Sequence, residues 1–412
     1  MSYNIIKEKN KIYYAFLLLI ILSTFFDLII LPKRTFKLIG LIILLYFYIT
    51  SKQDDNKYKF WIGLIWLAVI GSVIYSFLVN HQDFFDVAFA SYFAMGLGSF
   101  CVFHGLGLNY KSSLKLLKSF SIFFCSCYVI QILVYPITIF AGSLDEFSIS
   151  DSHFRMRMAC SACSYCLFFL GINEYMNTHK IREFLYSLLG FVPLMTMGFR
   201  SLVSLTILFW GYLIWEYNKN RPSNLLKYIV AFSVISITAL QMPLVQNKID
   251  EMLQRQNSDQ TFDNKDYVRY ASLAYYMNVF DTPSERIFGG GYPMTTSENP
   301  NWSCDYLREV NIGYQMKLFW NDLGMIGFAF IFGFPSAFLV SFLILRAVIK
   351  SKEKKLLFIR STLLTIYLGS IMTSQEVYRS GNFIIIGLLF YVEYRYHLEN
   401  NENRNTYVSS RG

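Results

Sequence analysis

Three arginines and a glycine run give this chain residues suited to binding an anionic group. Arg200, Arg269 and Arg286 each carry a planar guanidinium whose donors pair with phosphate oxygens. The glycine run, Gly289 to Gly291, permits positive φ angles and close backbone approach, and exposed amides in such a loop can form an anion-binding nest. We therefore expect chemistry that relies on positioning and electrostatics rather than on an activated nucleophile.

Each of these residues also has an ordinary structural interpretation. Arg200 is the only charged residue within 184–215, so it meets either a ligand or lipid head groups. Arg269 is near Asp263 and Asp266 and can be a solvated ion-pair partner of either. Glycine runs also occur in ordinary loops, so the run alone is weak support for a binding site.

Two further arginines and a tyrosine complete the set of candidate substrate-binding residues. Arg157 and Arg379 each lie in a short polar collar before an apolar segment, where interfacial anchoring is the commoner role. Tyr270 follows Arg269 and can stack on a sugar face, although such aromatic residues more often pack. Metalloprotease, P-loop and nucleophile-elbow spacings do not occur, so we expect no metal or other cofactor.

The composition places these residues on a membrane protein. Of 412 residues, 54% are hydrophobic and only 16% are charged, and mean hydropathy is +0.36. Soluble domains carry about 25% charged residues, so the fold class is an all-α polytopic membrane protein. The net charge of +9 comes mainly from short basic connectors, which favour orientation in a membrane over binding of nucleic acid.

Apolar runs predict about twelve transmembrane helices in a single domain, 1–412. The predicted spans are 12–31, 36–50, 60–79, 87–108, 119–140, 159–176, 185–199, 201–217, 228–244, 319–345, 356–373 and 383–397. One large polar loop, 245–318, separates spans nine and ten, and we expect short helices at 243–256 and 264–280 within it. Six of the seven cysteines lie in apolar segments, where they serve as packing residues.

Lysine and arginine clusters predict the orientation. The clusters that fall on one side are Lys7/Lys9/Lys11, Lys52/Lys57/Lys59, Lys111/Lys115/Lys118, Lys180/Arg182, Lys219/Arg221/Lys227 and Arg346/Lys350/Lys352/Lys354/Lys355. By the positive-inside rule this side is cytoplasmic and holds both termini. The exception is Lys33, Arg34 and Lys37, which fall outside with Arg200 and the large loop.

Several of these features occur in the same order in a known family. The turn at 198–202 reads GFRSL, Arg269 is followed by Gly289 and Gly291, and 323–327 reads LGMIG. From Arg200 to Phe332 the chain resembles the O-antigen polymerase and ligase superfamily of bacterial inner membranes. The resemblance implies a helical glycosyltransferase fold of the GT-C type. Ligases carry a His-Asn pair where this chain has Gly313-Tyr314, so the resemblance favours a polymerase.

The resemblance implies a substrate and a reaction. Undecaprenyl-pyrophosphate-linked oligosaccharides would be joined on the outer face of the cytoplasmic membrane into O-antigen, capsule or exopolysaccharide. Arg200 and Arg269 would stabilise the leaving pyrophosphate as its charge develops, without a metal. Expected partners are these lipid-linked glycans, membrane lipids, and flippase and chain-length regulator proteins. The general-base candidates are Asp266, Glu285, Asp305 and Glu376.

Other functions remain open at this point. A ligase or another glycan transferase of the same fold is one alternative, and a polysaccharide flippase or transporter is another. Transporters commonly show two related halves, whereas this chain is asymmetric with one large loop late in the sequence. A structural or receptor role completes the alternatives.

Overall fold

A computed structural model describes residues 2–23, 33–134, 137, 139, 160–196, 200–220, 268–280, 282–293, 307–309, 315–317, 320–371, 377–378 and 381–409. Within these residues the fold is helical apart from one short hairpin, in which β1 (Leu307–Glu309) pairs antiparallel with β2 (Gln315–Lys317). The coarse prediction of a helical protein is therefore confirmed.

The helices of the first half are α1 (Ser2–Leu22), α2 (Lys33–Thr50), α3 (Tyr58–Val79), α4 (Phe84–Ala90), a 3-10 segment (Ser91–Gly98), α5 (Ser99–Leu106), α6 (Tyr110–Val134), α7 (Ala162–Thr178), α8 (Ile181–Thr196) and α9 (Arg200–Asn218). Those of the second half are α10 (Val268–Val279), α11 (Pro283–Phe288), a 3-10 turn (Trp320–Leu323), α12 (Gly324–Lys350), a 3-10 turn (Lys354–Leu356), α13 (Leu357–Gly369) and α14 (Asn382–Ser409).

Four helical segments of the described residues are long and apolar enough to cross a membrane. They are Tyr58–Val79, Phe84–Leu106, Tyr110–Val134 and Gly324–Lys350. The other predicted spans overlap helices that are shorter or more polar, except 228–244, which lies outside the described residues. Length and composition thus indicate a membrane protein, whereas the count of twelve spans stays a prediction.

One end of the bundle gathers the basic clusters, and we refer to it as the basic end. It comprises the turn 51–57, the starts of α6 and α8, and the segment 346–355 with the later part of α14. Its elements are joined by the Tyr58 hydroxyl, which donates to Glu393 Oε2 (2.7 Å), and by the Tyr217 hydroxyl, which donates to the Lys354 carbonyl (2.9 Å). The absolute orientation of this end in a membrane stays a prediction.

Lys33, Arg34 and Lys37, the cluster that departs from the predicted pattern, lie at the end of the bundle opposite the basic end. Arg34 Nη2 is 2.6 Å from Asp86 Oδ1, and Lys37 Nζ donates to the Phe89 carbonyl (3.0 Å). Both partners belong to α4, which follows the end of α3 furthest from Tyr58. The Asp86 carboxylate therefore balances the charge of Arg34, which lies away from the other basic clusters.

Lys118 should stabilise the basic end. Its ammonium contacts the carboxylates of Glu174 and Glu183, and the Glu183 side chain is only 5% exposed. Lys118→Met would leave Glu174 beside Glu183 without the cation between them, and only Arg182, 3.2 Å from Glu183 Oε1, would remain to balance the pair. We expect a loss of about 2 kcal/mol or more in stability, measured by thermal unfolding in detergent.

Lys115→Met provides the matched control for Lys118→Met. Lys115 lies one turn earlier on α6 and is exposed, so its substitution should change stability by less than about 0.5 kcal/mol. Equal effects of the two substitutions would contradict a stabilising role for the Lys118 ion pairs.

Candidate functional site

The candidate site is built on a break in α12. Gly333 has φ 79° and ψ 159°, which interrupts the helix, and Pro335 follows two residues later. In a regular helix the Ile331 carbonyl would accept from residue 335, but proline has no N–H to donate. Backbone carbonyls just before the break are therefore free of their usual helical donors and can accept hydrogen bonds from other segments.

The glycine run supplies those partners. Gly290 N donates to the Phe330 carbonyl (2.9 Å), and Gly291 N donates to the Ile331 carbonyl (3.0 Å). The Ser72 hydroxyl of α3 also donates to the Ile331 carbonyl (2.7 Å). The run thus docks along the broken helix as an extra hydrogen-bonded segment.

This docking corrects the expected role of the glycines. Gly289 N donates to the Glu285 carbonyl (2.6 Å), so all three amides of the run have backbone acceptors and do not form an open anion nest. Gly289 (φ +73°) and Gly291 (φ +82°) have positive φ, as expected. A Cβ at Gly289 would clash with the Ile331 carbonyl, so the close approach is to α12 rather than to a ligand.

The end of α3 holds the glycine run in place with residues that were not singled out from the sequence. Asn80 is buried, and its Nδ2 donates to the Gly290 carbonyl (2.7 Å). The buried Gln82 accepts from the Ser76 hydroxyl through Oε1 (2.7 Å). The available signal was two polar amides placed directly after an apolar helix.

Arg269 lies on α10, which packs against the broken helix. Tyr276 stacks on Phe330 with ring centroids 5.4 Å apart, and Phe280 contacts Phe330 at 5.2 Å. Arg269 is partly buried near the start of α10, and Tyr270 is 48% exposed. The predicted helix 264–280 is thus observed from 268 onward. The proposed ion-pair partners, Asp263 and Asp266, lie outside the described residues.

Arg286 lies on α11, a six-residue helix that the sequence reading missed. Thr282 and Glu285 form a capping box at its start, with proline at the first helical position. These residues are the sequence signal that would have located the helix. Arg286 is exposed, and its Nε donates to the Phe280 carbonyl (3.4 Å), which ties α11 to the end of α10.

The same capping box affects the choice of a general base. Glu285 Oε2 accepts from Thr282 N (3.0 Å) and from the Thr282 hydroxyl (2.8 Å). The Glu285 carboxylate is therefore hydrogen-bonded within the start of its own helix. The other candidates, Asp266, Asp305 and Glu376, lie outside the described residues.

An aromatic cluster lies beside the glycine run. Tyr292 meets Trp320 edge to face at 5.5 Å, and Trp320 stacks on Tyr378 at 5.4 Å. The Tyr378 hydroxyl donates to the Gly324 carbonyl (2.9 Å) at the start of α12. Tyr292 therefore packs within the protein, whereas Tyr270 keeps an exposed ring.

Arg200 begins α9, and its side chain is outside the described part of the structure. Two residues later, Leu202 packs closely on Gly369, the last residue of α13. The next carbonyl, that of Ser370, accepts from Met325 N (2.7 Å) at the start of α12. The first turn of α9 therefore lies at the same end of the bundle as the aromatic cluster and the glycine run.

Two of the predicted substrate-binding arginines, Arg157 and Arg379, lie outside the described residues. Within the residues that are described, no group of three or more His, Cys, Asp or Glu side chains is arranged to hold a metal ion. The described part of the site contains Arg269 and Tyr270 on α10, Arg286 on α11 and the glycine run held against α12.

The chain matches no protein-family model and no curated protein sequence.

Proposed function

We propose that the protein is a membrane glycosyltransferase that polymerises lipid-pyrophosphate-linked oligosaccharides into surface polysaccharide. The observation that carries the proposal is the docking of α10, with Arg269, onto the broken helix α12 at the end of the bundle opposite the basic end. If the basic end is cytoplasmic, Arg269 and the start of α9 face the outer leaflet. The proposed location is the bacterial cytoplasmic membrane, with both termini in the cytoplasm.

The proposed reaction transfers a growing glycan to a single lipid-linked repeat unit. A hydroxyl oxygen of the acceptor sugar forms a bond to the anomeric carbon of the donor and loses its proton to a general base, for which Asp266, Glu285, Asp305 and Glu376 are the candidates. The bond from that carbon to the lipid pyrophosphate breaks, and the pyrophosphate leaves with the electron pair. Negative charge therefore grows on the leaving group, where pre-placed cations stabilise the transition state more than the ground state.

The arginines are assigned to that leaving group. Arg269 is partly buried, and a guanidinium shielded from water stabilises phosphate charge more strongly than an exposed one. Arg200, as the first residue of α9, is assigned to the same pyrophosphate, and the exposed Arg286 to the approach of the substrate. Tyr270 offers an exposed ring for a sugar face, and the glycine run fixes α11 against α12.

Deleting the gene in its host tests the function class. We expect long glycan chains to disappear, while single repeat units still reach the cell surface. Expression of the full-length protein from a plasmid should restore the ladder of polysaccharide bands that long chains give on a gel. Electrophoresis of extracted polysaccharide and surface labelling of repeat units provide the two measurements. Repeat units trapped inside the cell would indicate a flippase, and normal-length polymer that stays lipid-linked would indicate a ligase. Either result would reject the polymerase.

A further inference from the structure

An apolar groove follows α12 towards the basic end. Its volume is about 880 Å³, and its lining comes from α12 with Tyr367 and Ile371 from the region of α13. Exposed phenylalanines recur along it at helical spacing, with Phe338 exposed by 70%. Such a surface suits a flexible hydrocarbon chain.

Two cations mark one end of the groove, and no other charged residue lines it within the described part of the chain. Arg346 and Lys350 are four residues apart, so they lie on the same face of α12. In the described part of the chain, neither has a carboxylate within ion-pair distance, and Arg346 Nη1 is buried without a hydrogen-bond partner. The Arg346 guanidinium lies 5.3 Å from the Tyr58 ring, which fixes its position.

The acid near these two cations is Glu393, whose Oε1 is buried without a hydrogen-bond partner among the described residues. Glu393 is fully buried on α14, its Oε2 accepts from the Tyr58 hydroxyl (2.7 Å), and its Oε1 is 3.2 Å from His397 Nε2. Lys350 Nζ donates to the Asn56 amide oxygen, a neutral partner. Two cations beside one buried carboxylate give this end of the groove an excess of positive charge, which favours an anion.

We propose that this groove binds an anionic phospholipid from the leaflet at the basic end, with its phosphate on Arg346 and Lys350. From Arg346 to Phe334 the helix rises about 18 Å, close to the roughly 15 Å hydrocarbon depth of one leaflet. The acyl chains therefore lie against the phenylalanine face, and the groove lining continues past the break at Gly333 to Met325. The occupant is a leaflet lipid and not the proposed substrate, because the cations are at the end of the bundle opposite Arg269.

The test compares two lipids with identical acyl chains, phosphatidylglycerol and phosphatidylcholine. Full-length protein in detergent is titrated with each lipid while its thermal unfolding is followed, and bound lipid is counted by native mass spectrometry. We expect wild type to retain phosphatidylglycerol preferentially. Arg346→Gln with Lys350→Gln should weaken its binding about 100-fold, or about tenfold for each charge-assisted contact.

Two further variants separate the groove from general charge and hydrophobicity. Lys352→Gln removes the same charge from an exposed position just beyond α12 and should leave binding unchanged. Ser341→Trp fills the groove without changing charge and should also displace the lipid, whereas Leu67→Trp on the exposed face of α3 should not.

These lipid-binding measurements test the groove independently of any polymerase activity. Equal retention of the two lipids by wild type would overturn it, as would unchanged retention in the double variant. Co-purification of a polyprenyl phosphate in place of phospholipid would also overturn it. If Arg346→Gln prevents folding, Lys350→Gln and Ser341→Trp each still test the site.

Discussion

Arg269→Ala should abolish long glycan chains while single repeat units continue to reach the cell surface. Removing one donor that stabilises transition-state charge typically lowers the rate by 10²- to 10³-fold, so we expect at least about a 100-fold loss of polymer. The helix itself should persist, because α10 is held by Tyr276 and Phe280 rather than by Arg269. Polysaccharide ladders and the amount of folded protein in membranes are measured together.

Variants at two other positions sharpen the Arg269 experiment. Arg269→Lys keeps the charge but loses the paired donors, so it should recover only part of the activity. Lys352→Ala, at an exposed position at the basic end, should leave the ladder unchanged. Arg200→Ala should reproduce the Arg269→Ala phenotype, since both residues are assigned to the same pyrophosphate. An unchanged ladder in both arginine variants would reject the assignment.

Gly333→Ala should prevent stable folding. The glycine has φ +79°, which is strained for alanine, and an added Cβ would clash with the backbone carbonyl of Ile287. The atoms nearest to that Cβ all belong to the backbone of Ile287 and Phe288, so no flexible side chain can move away. We therefore expect a loss of stability above about 4 kcal/mol, among the larger effects of a single substitution. Fluorescence-detected size-exclusion chromatography after heating measures the loss.

Gly211→Ala is the matched control for Gly333→Ala. Gly211 lies inside α9, and a Cβ built there has no heavy atom within 4 Å. Alanine should therefore stabilise the helix by up to about 1 kcal/mol. If Gly333→Ala were as stable as Gly211→Ala, the break in α12 would not require glycine.

Hydrophobic periodicity was sufficient to predict the helical fold. The long apolar runs at 60–79 and 319–345 overlap helices α3 (Tyr58–Val79) and α12 (Gly324–Lys350). Periodicity could not predict the break in α12, since the segment around Gly333 and Pro335 is as apolar as its neighbours. The break was not predicted, and the signal that could have located it is a glycine and a proline two residues apart.

The candidate site was less predictable than the fold. Apolar spacing over 264–280 correctly indicated a helix that carries Arg269. The glycine run was assigned to a ligand because a sequence does not reveal which backbone a glycine approaches. Its true partner, α12, is about forty residues away, and the amides that hold it, such as that of Asn80, are more than two hundred residues away. Such long-range pairing depends on tertiary packing and leaves no local pattern.

The hydrogen bond between Ser72 and the Ile331 carbonyl spans 259 residues, and the one between Tyr58 and Glu393 spans 335. At a synthesis rate of about 5–20 residues per second, these acceptors are made on the order of tens of seconds after α3. Until then its hydroxyls must rely on water, lipid head groups or their own helix. A nascent chain interrupted before residue 331 would carry an incomplete α3 surface, which gives membrane quality control a feature by which to select it for degradation.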